Sequence, residues 1–441
     1  MYKKFLHILS FDGLSKVDME FLKNEPNFKS FLKEASGCYS VKSVYPSLTY
    51  CAHTSIVTGV NPSKHGIVSN TKIQPYTHNP DWYWFSKDIK VDSFQKKAYE
   101  NGYSILSIFW PVTAGSKYIK YNMPEIFANR WWKHQIIESL RSGSKLYQID
   151  MNKRFGHLRN GIKEPELDNY THESFMYSLE HYKTDINMVH YIDLDSQRHD
   201  FGFHSEQAYD ALRRLDKRLG DLIKRLKQLN MYEDSVIVIL GDHSSIDGHT
   251  NIYLNTVLEE HGLLKKNDDE TIGDYDVLAK DTDGSSYIYI NKKKKSKYNV
   301  KNGEEILYND IVKMLKPLID KGIIEKIYKK NDVEMPDKNA ALMIEASRGY
   351  FFKDEVKDEV LISVETLRKR GLKAHVNNHG YHPNLKEDYE TVFFVSGKGI
   401  KKGKFIDEMS LIDEAYIFSK IMGFEMKDID GKCIDDLFVE K

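Results

Sequence analysis

The amino-acid sequence predicts an α/β protein with a mostly parallel sheet and helices on both faces. Short apolar runs rich in β-branched and aromatic residues alternate with amphipathic segments, a pattern typical of buried strands joined by helices. We predict strands at residues 5–11, 103–110, 186–192, 236–240 and 392–395. The first run follows Lys3 and Lys4 as in a signal peptide, but Asp12 interrupts it and no small-residue cleavage site follows. We therefore interpret it as a buried strand.

The clearest helix is predicted over residues 205–230, where leucines recur three and four residues apart. We interpret this stripe as a core face rather than as a zipper for a partner; it comprises Leu212, Leu215, Leu219, Leu222, Leu226 and Leu229. A further helix is expected near residues 304–321. It lies in segment 263–372, whose polar start and new strands break the alternation. We predict that residues 1–262 and 373–441 form the main domain, and that 263–372 form an inserted α+β cap subdomain.

The composition limits the class of partner and the compartment. The 441 residues include 64 Lys+Arg and 65 Asp+Glu, and the formal net charge is −1. This balance produces no long-range field for a polyanion, so we expect neither a nucleic-acid duplex nor a membrane as partner. No apolar run reaches the ~18 residues of a membrane span. Three cysteines without CxxC spacing argue against a disulfide framework and a thiolate zinc site, which favours a cytoplasmic protein. The oligomeric state stays open.

Polar residues cluster at the ends of the predicted strands. In an open α/β sheet, ligands bind at the carboxyl ends of the strands, so residues directly after apolar runs are candidates for function. Asp12 ends the first run, and His379 lies shortly before the last. The remaining candidates follow two central runs and are Asp195, His199, Asp242 and His243.

Each of these six residues alone has a structural explanation. An aspartate after a strand commonly caps a helix, and a single histidine is commonly a hydrogen-bonded core residue. Three carboxylates at one sheet edge would repel one another unless cations neutralised them. Carboxylate and imidazole ligands suit Zn²⁺, with Mn²⁺ as the alternative. The joint hypothesis is a binuclear metal centre.

A candidate nucleophile lies in the segment YPSLTYCAHTSIVTG. A strand-like run precedes Thr49 and a short helical pattern follows it, so the Thr49 hydroxyl is expected at a helix N-terminus. The helix dipole and a bound cation would both favour its alkoxide. Without metals, Thr49 would only cap the helix. Ser47, Thr54 and Ser55 are competitors by chemistry. Cys51 is a poor competitor, because a thiolate beside two metals would be held as a ligand and could not attack.

These motifs together resemble a known family. PSLTYCAHTSIVTGVNPSKHGI, DSQRH, GDH and NHGY are similar, in order and spacing, to the nucleotide pyrophosphatase/phosphodiesterase (type I phosphodiesterase) branch of the alkaline phosphatase superfamily. The resemblance covers most of the chain, including Asn70 in HGIVSN, the segment IFWP, and SSYIYI inside the predicted cap. It implies an alkaline-phosphatase-like fold for the main domain.

The resemblance also implies a role for each residue. Asp12, Asp242 and His243 would hold one metal beside the nucleophile Thr49, and Asp195, His199 and His379 would hold the other. Asn70 would donate its amide to a non-bridging phosphoryl oxygen. The expected activity is hydrolysis of phosphodiester or nucleotide pyrophosphate bonds in a small substrate through a phosphothreonine intermediate.

The sequence departs from the family pattern near the second metal. Arg198 occupies the position where the family usually has glycine, and its side chain would either point to solvent or reach a substrate carboxylate or phosphate. Tyr50, Cys51 and Ala52 replace residues near the expected base-binding wall. A phosphomonoesterase, phosphonate hydrolase or phosphomutase on the same metals stays open, as does a non-catalytic metal-stabilised binding protein. A nicotinamide site at Gly397 to Gly403 is disfavoured because the spacing is not GxGxxG.

Overall fold

A computed structural model describes residues 4–440 of the protein. Helices and strands alternate along most of this range. The strands are β1 (Phe5–Phe11), β2 (Ser36–Lys42), β3 (Ile105–Ile108), β4 (Tyr121–Met123), β5 (Ile186–Tyr191), β6 (Ser235–Leu240), β7 (Ile246–Asp247), β8 (Thr250–Ile252), β9 (Leu264–Lys266), β10 (Ile272–Tyr275), β11 (Val277–Thr282), β12 (Ser285–Ile290), β13 (Ile324–Lys329), β14 (Leu342–Ala346), β15 (Tyr350–Phe352), β16 (Leu361–Ser363), β17 (Asn377–Asn378), β18 (Thr391–Gly397), β19 (Phe405–Ile406) and β20 (Met409–Ser410). The helices are α1 (Met19–Leu22), α2 (Pro26–Leu32), α3 (Thr49–Thr58), α4 (Pro62–His65), α5 (Phe94–Glu100), α6 (Gln135–Ser142), α7 (Lys145–Phe155), α8 (Glu166–His181), α9 (Asp193–Phe201), α10 (Glu206–Gln228), α11 (Leu254–Glu260), α12 (Gly303–Met314), α13 (Lys316–Asp320), α14 (Val364–Lys369) and α15 (Glu414–Met422).

A nine-stranded sheet forms the centre of the molecule. Its strand order is β19-β2-β18-β6-β1-β5-β3-β4, and β20 pairs with β2. Neighbouring strands are parallel except that β18 runs antiparallel to both β2 and β6. The prediction of a mostly parallel sheet is therefore confirmed, and each of the five predicted apolar runs forms one of its strands.

Helices cover both faces of this sheet, as predicted. All seven residues of β1 are buried, and they alternate between the faces: Leu6 and Ile8 pack in one core with α3, α5 and α15, whereas Leu9 and Phe11 pack in the other with α8 and α10. Helix α10 begins after Ser205, whose hydroxyl accepts a hydrogen bond from the Ala208 N–H at 3.2 Å. Its predicted leucine stripe is a core face, since five of the six leucines are at most 1% exposed. Within residues 4–440, no helix combines the length and the apolar character that crossing a membrane requires.

A second, four-stranded antiparallel sheet of order β11-β12-β14-β13 lies within the predicted insertion. The helix expected near residues 304–321 is split into α12 and α13, because Pro317 cannot donate a backbone hydrogen bond to the preceding turn. Strand β8, which precedes the insertion, pairs with β15 and β16 inside it. The domain division at residues 262 and 372 stays a prediction.

The fold brings the candidate residues to one edge of the central sheet. Strands β1, β2, β5 and β6 run in the same direction, so the loops after them meet at their carboxyl ends. The antiparallel β18 begins at this same edge, which brings the segment before it to the site. Gly241 allows close packing there, since a Cβ at this position would lie 2.1 Å from the Leu14 carbonyl oxygen.

Candidate metal centre and nucleophile

One group of candidate ligands comprises Asp195, His199 and His379. Asp195 and His199 are four residues apart in α9, and Asp195 Oδ2 lies 3.0 Å from His199 Nε2. His379 follows β17, and its ring centroid is 5.3 Å from that of His199. One ligand atom from each of the three residues lies within 4.8 Å of the others. This spacing suits ligands of one metal ion.

The second group surrounds the imidazole of His243. Its Nε2 lies 3.4 Å from Asp12 Oδ1, 3.3 Å from Asp242 Oδ2 and 3.2 Å from Thr49 Oγ1. Asp195 joins the groups, because it also has a ligand atom within 4.8 Å of those of Asp12 and His243. The structure thus brings together all six predicted ligands and the predicted nucleophile.

Backbone carbonyls orient the three histidines. Nδ1 lies 2.6 Å from Asn377 O in His199, 3.2 Å from Ser47 O in His379 and 3.2 Å from Ser244 O in His243. A carbonyl only accepts hydrogen bonds, so each Nδ1 carries the proton when the ring is neutral and Nε2 presents its lone pair to the site. Metal-binding histidines in proteins are usually oriented in this way.

The three carboxylates fit cations. Asp12 Oδ1, Asp195 Oδ1 and Asp242 Oδ2 are buried and have no hydrogen-bond partner in the described part of the chain. Burial, followed by the charges of Asp242 and Asp195, raises the pKa of Asp12 well above its usual value, and burial raises the pKa of Asp242 to about 6. Divalent cations would neutralise this cluster and coordinate its unpaired oxygens.

The histidine pKa values agree with this arrangement. Burial lowers the pKa of both His243 and His379 to about 4, so these rings are neutral at pH 7 and ready to coordinate. Burial also disfavours the charged form of His199, but the Asp195 carboxylate outweighs this effect and raises the pKa of His199 to about 9. A metal binding His199 would therefore displace a proton.

Thr49 is the hydroxyl that faces the ligands. It is the first residue of α3, and its Oγ1 lies 3.2 Å from His243 Nε2. The Tyr50 N–H at the start of this helix is capped by the Asn70 side chain rather than by Thr49, so the capping explanation fails. The competing hydroxyls are engaged elsewhere. Ser47 Oγ donates to Tyr381 O at 2.9 Å, Thr54 Oγ1 donates to Tyr50 O at 2.7 Å, and Ser55 Oγ lies 2.9 Å from His65 Nε2.

Asn70 is held beside the nucleophile. Its Oδ1 accepts a hydrogen bond of 3.0 Å from the Tyr50 N–H at the start of α3. This contact assigns the oxygen of the side-chain amide and leaves its NH₂ group to donate elsewhere. The geometry is compatible with the predicted donation to a phosphoryl oxygen.

Two further histidines, His53 and His190, support the site and were missed in the sequence. His190 Nε2 lies 3.2 Å from Asp12 Oδ2, and the rings of His190 and His53 are 4.3 Å apart. His53 Nδ1 lies 2.8 Å from Thr49 O, and its Nε2 lies 2.8 Å from Ser10 Oγ. A polar residue inside the apolar strand β5 was the signal for His190. His53 lies one helical turn after Thr49.

Both predicted orientations of Arg198 are wrong. The side chain is only 1% exposed, and its guanidinium stacks 3.7 Å from the centre of the Phe203 ring. Nη1 donates to Gly13 O at 2.7 Å, and Nη2 donates to Asp18 Oδ1. Arg198 therefore joins α9 to the turn after Asp12, and its guanidinium is bonded to the protein itself.

The comparisons with known proteins identify the family. A sequence model of the type I phosphodiesterase / nucleotide pyrophosphatase family matches residues 6–382. The chain therefore belongs to this family. Its structure is similar to murine ectonucleotide pyrophosphatase / phosphodiesterase 5, with a TM-score of 0.65, 17% identity, and coverage of 99% of this chain and 100% of that one. The two chains share the alkaline-phosphatase-like fold.

Several curated proteins are similar to this chain in sequence, and the share of their length that the chain covers differs widely. Human bis(5'-adenosyl)-triphosphatase ENPP4 is 24% identical over 248 residues, which cover 54% of this chain and 47% of that protein. Human ectonucleotide pyrophosphatase/phosphodiesterase family member 1 is 26% identical over 239 residues, which cover 51% and 22%. The chain thus spans less than half of each human relative. For bovine ENPP4, the match is 23% over 450 residues, covering 97% and 81%.

Replacing Arg198 tests its structural role. Arg198→Ala leaves the Asp18 carboxylate buried without its cation, and breaking a buried pair in this way costs about 3 kcal/mol of unfolding free energy or more. We expect a lower denaturant midpoint and an unchanged ratio of diester to monoester turnover. Arg198→Lys keeps the charge and should recover part of the stability. An Arg198→Ala protein of normal stability with altered substrate preference would contradict this role.

Proposed function

We propose that this protein is a metal-dependent hydrolase of phosphodiester or nucleotide pyrophosphate bonds that acts through a phosphothreonine at Thr49. The observation that carries the proposal is the Thr49 hydroxyl, which faces a buried cluster of three carboxylates and three imidazoles. Family membership supports the reaction class. An inactive threonine-to-alanine variant of murine ectonucleotide pyrophosphatase / phosphodiesterase 5 was solved in complex with AMP, which supports a nucleotide substrate.

Two divalent ions, Zn²⁺ or alternatively Mn²⁺, would complete the site. Asp12, Asp242 and His243 would hold one ion beside Thr49, and the group of Asp195, His199 and His379 would hold the other. When bound, such ions lower the pKa of a coordinated hydroxyl and neutralise charge that develops at phosphorus. The unpaired carboxylate oxygens of Asp12, Asp195 and Asp242 support this assignment.

The residues of the chain account for the two steps of hydrolysis. In the first, the Thr49 oxygen forms a bond to phosphorus and the bond to the leaving oxygen breaks, which yields a phosphothreonine. In the second, water attacks the same phosphorus and releases the Thr49 oxygen. Each step inverts phosphorus, so the net result is retention. The Asn70 NH₂ would donate to a non-bridging oxygen as its negative charge grows.

The same site could serve a phosphomonoesterase, a phosphonate hydrolase or a phosphomutase. A diester carries one negative charge at phosphorus, whereas a monoester carries up to two. The arginine that could have held the second charge, Arg198, is committed to Gly13 and Asp18. This favours the diester or pyrophosphate assignment.

We also retain cytoplasmic residence as a proposal. Cys38, Cys51 and Cys433 are free thiols in the structure, as is usual for proteins of a reducing compartment. This proposal is independent of the proposed reaction.

Metal analysis tests whether the protein binds two divalent ions and needs them for activity. The purified protein, loaded with Zn²⁺ or Mn²⁺, should contain about two ions per chain and should lose its diesterase activity to a chelator. Asp195→Asn together with His379→Ala should lower the metal content, because both ligands of the second group are altered. Metal-free protein with full activity would refute the binuclear mechanism.

The Thr49→Ala variant isolates the nucleophile. It should lose nearly all turnover, and its metal content should stay close to normal because the carboxylate and imidazole ligands remain. Thr54→Ala is a matched control in the same helix, since the Thr54 hydroxyl only donates to Tyr50 O. The measurements are kcat on bis-p-nitrophenyl phosphate and elemental analysis. Persistent turnover in Thr49→Ala would instead make water the direct attacking group.

Substrate charge provides a separate prediction. An unpaired second charge costs ~3 kcal/mol, which at ~1.4 kcal/mol per factor of ten corresponds to roughly a hundredfold preference for diesters. We expect kcat/KM for bis-p-nitrophenyl phosphate to exceed that for p-nitrophenyl phosphate by about this factor. A higher kcat/KM for the monoester would make the monoesterase assignment the better one.

A further inference from the structure

An exposed apolar surface lies outside the candidate metal centre, in the segment around α6 and α7. Six large apolar side chains in and before these two helices are exposed. We call them the apolar patch: Trp131 (92% exposed), Trp132 (63%), Ile136 (58%), Ile137 (46%), Leu146 (84%) and Ile149 (50%). The two tryptophans alone expose on the order of 300 Å². The largest apolar patch of a typical soluble protein covers about 300–600 Å² and often serves in binding.

Several contacts hold the parts of this segment together. The rings of Trp131 and Trp132 are 5.6 Å apart, directly before α6. The Gln148 amide in α7 donates to Ser139 O in α6 at 2.9 Å, which ties the two helices together. Leu146 and Ile149 are three residues apart in α7 and therefore share one face of that helix.

The charge around the apolar patch is strongly positive. Residues 129–163 contain eight lysines and arginines and only two acidic residues, whereas the whole chain has a net charge of −1. Four of these basic side chains are exposed and have no carboxylate partner within residues 4–440: Arg141, Lys145, Lys153 and Lys163. The partner of this surface must therefore tolerate a basic rim.

We propose that the apolar patch docks onto an anionic lipid bilayer surface. Tryptophans and aliphatic side chains enter the boundary between headgroups and acyl chains, while lysines and arginines pair with anionic headgroups. Each basic residue near such a surface adds to the attraction. A second copy of this chain fits poorly, because a symmetric contact would place two basic rims against each other.

Docking through the apolar patch would hold the candidate metal centre near the bilayer, because a chain of ring contacts connects the two. Phe127, just before the apolar patch, packs against Trp82 with ring centroids 5.2 Å apart. Trp82 in turn packs against Tyr50 at 5.3 Å, and Tyr50 follows the nucleophile. The Asn129 amide also donates to Asp81 Oδ1 at 2.9 Å, which joins this segment to the residue before Trp82. The binding itself does not depend on the proposed reaction.

Vesicle binding tests the proposal directly. The full chain is sedimented with vesicles of phosphatidylcholine alone and of equimolar phosphatidylcholine and phosphatidylglycerol. We expect partitioning on the order of tenfold stronger onto the anionic vesicles, weakened by salt. The tryptophan emission should shift to shorter wavelength only with anionic vesicles, because Trp131 and Trp132 enter an apolar environment.

Two double variants test the apolar patch and its basic rim separately. Trp131→Ser with Trp132→Ser, and separately Lys145→Glu with Lys153→Glu, should each lower partitioning by about tenfold. The control for the tryptophans is Val439→Ser, which alters an aliphatic side chain that is 56% exposed and lies outside the apolar patch. The control for the lysines is Lys292→Glu with Lys293→Glu, in the run of lysines between β12 and α12. Both controls should bind within about twofold of wild type. Thermal unfolding verifies that each variant is folded.

Four outcomes would overturn the proposal. Wild type could bind both kinds of vesicle equally weakly, or the Lys292 and Lys293 control could lose as much binding as the patch variants. The protein could form a dimer that the tryptophan double variant abolishes, which would make the apolar patch an interface between copies. Finally, binding to poly-L-glutamate that requires both tryptophans, without vesicle binding, would indicate an acidic protein partner.

Discussion

The mutual repulsion of three buried carboxylates is the constraint on which the site depends. Asp12, Asp195 and Asp242 follow three different strands, with Asp195 in α9, and each has an oxygen without a hydrogen-bond partner among residues 4–440. Burying these like charges together is unfavourable. They lie at the same sheet edge as three histidines whose Nε2 atoms are oriented toward the site. His199 compensates the charge of Asp195, whereas burial raises the pKa of both Asp12 and Asp242. Bound cations would favour the ionised form of all three, so folding stability and metal binding are expected to be linked.

The surrounding structure holds these loops in register. Gly13 N donates to Asp242 Oδ1 at 3.0 Å, and the Gly13 carbonyl accepts from Arg198 in α9. One short turn is thereby bonded to the elements that carry Asp242 and Asp195. Arg198 fills the position that the family usually leaves to glycine, and its cation is neutralised by Asp18. Arg198 therefore acts on the site by holding the turn after Asp12 in place.

Local charge and total charge lead to different conclusions about this protein. A net charge of −1 predicts no affinity for anionic surfaces, but it is an average over 441 residues. The basic residues of 129–163 are concentrated around exposed tryptophan and aliphatic side chains, and electrostatic attraction to a surface acts only within about 10 Å at moderate salt. The segment nearest the surface therefore decides such binding, and the proposal of a lipid surface differs from the sequence-based expectation for this reason.

The sequence by itself determined the strands of the central sheet, the leucine face of α10 and the set of candidate ligands and hydroxyls. These depend on local patterns: apolar runs, periodicity, and polar residues at strand ends. Only the tertiary structure decided the roles of Arg198, His53 and His190, because each depends on contacts between residues distant in the chain, such as Arg198 with Asp18. It also decided which hydroxyl faces the candidate ligands. Thr49 contacts His243, whereas Ser47, Thr54 and Ser55 bond to partners that no spacing in the sequence reveals.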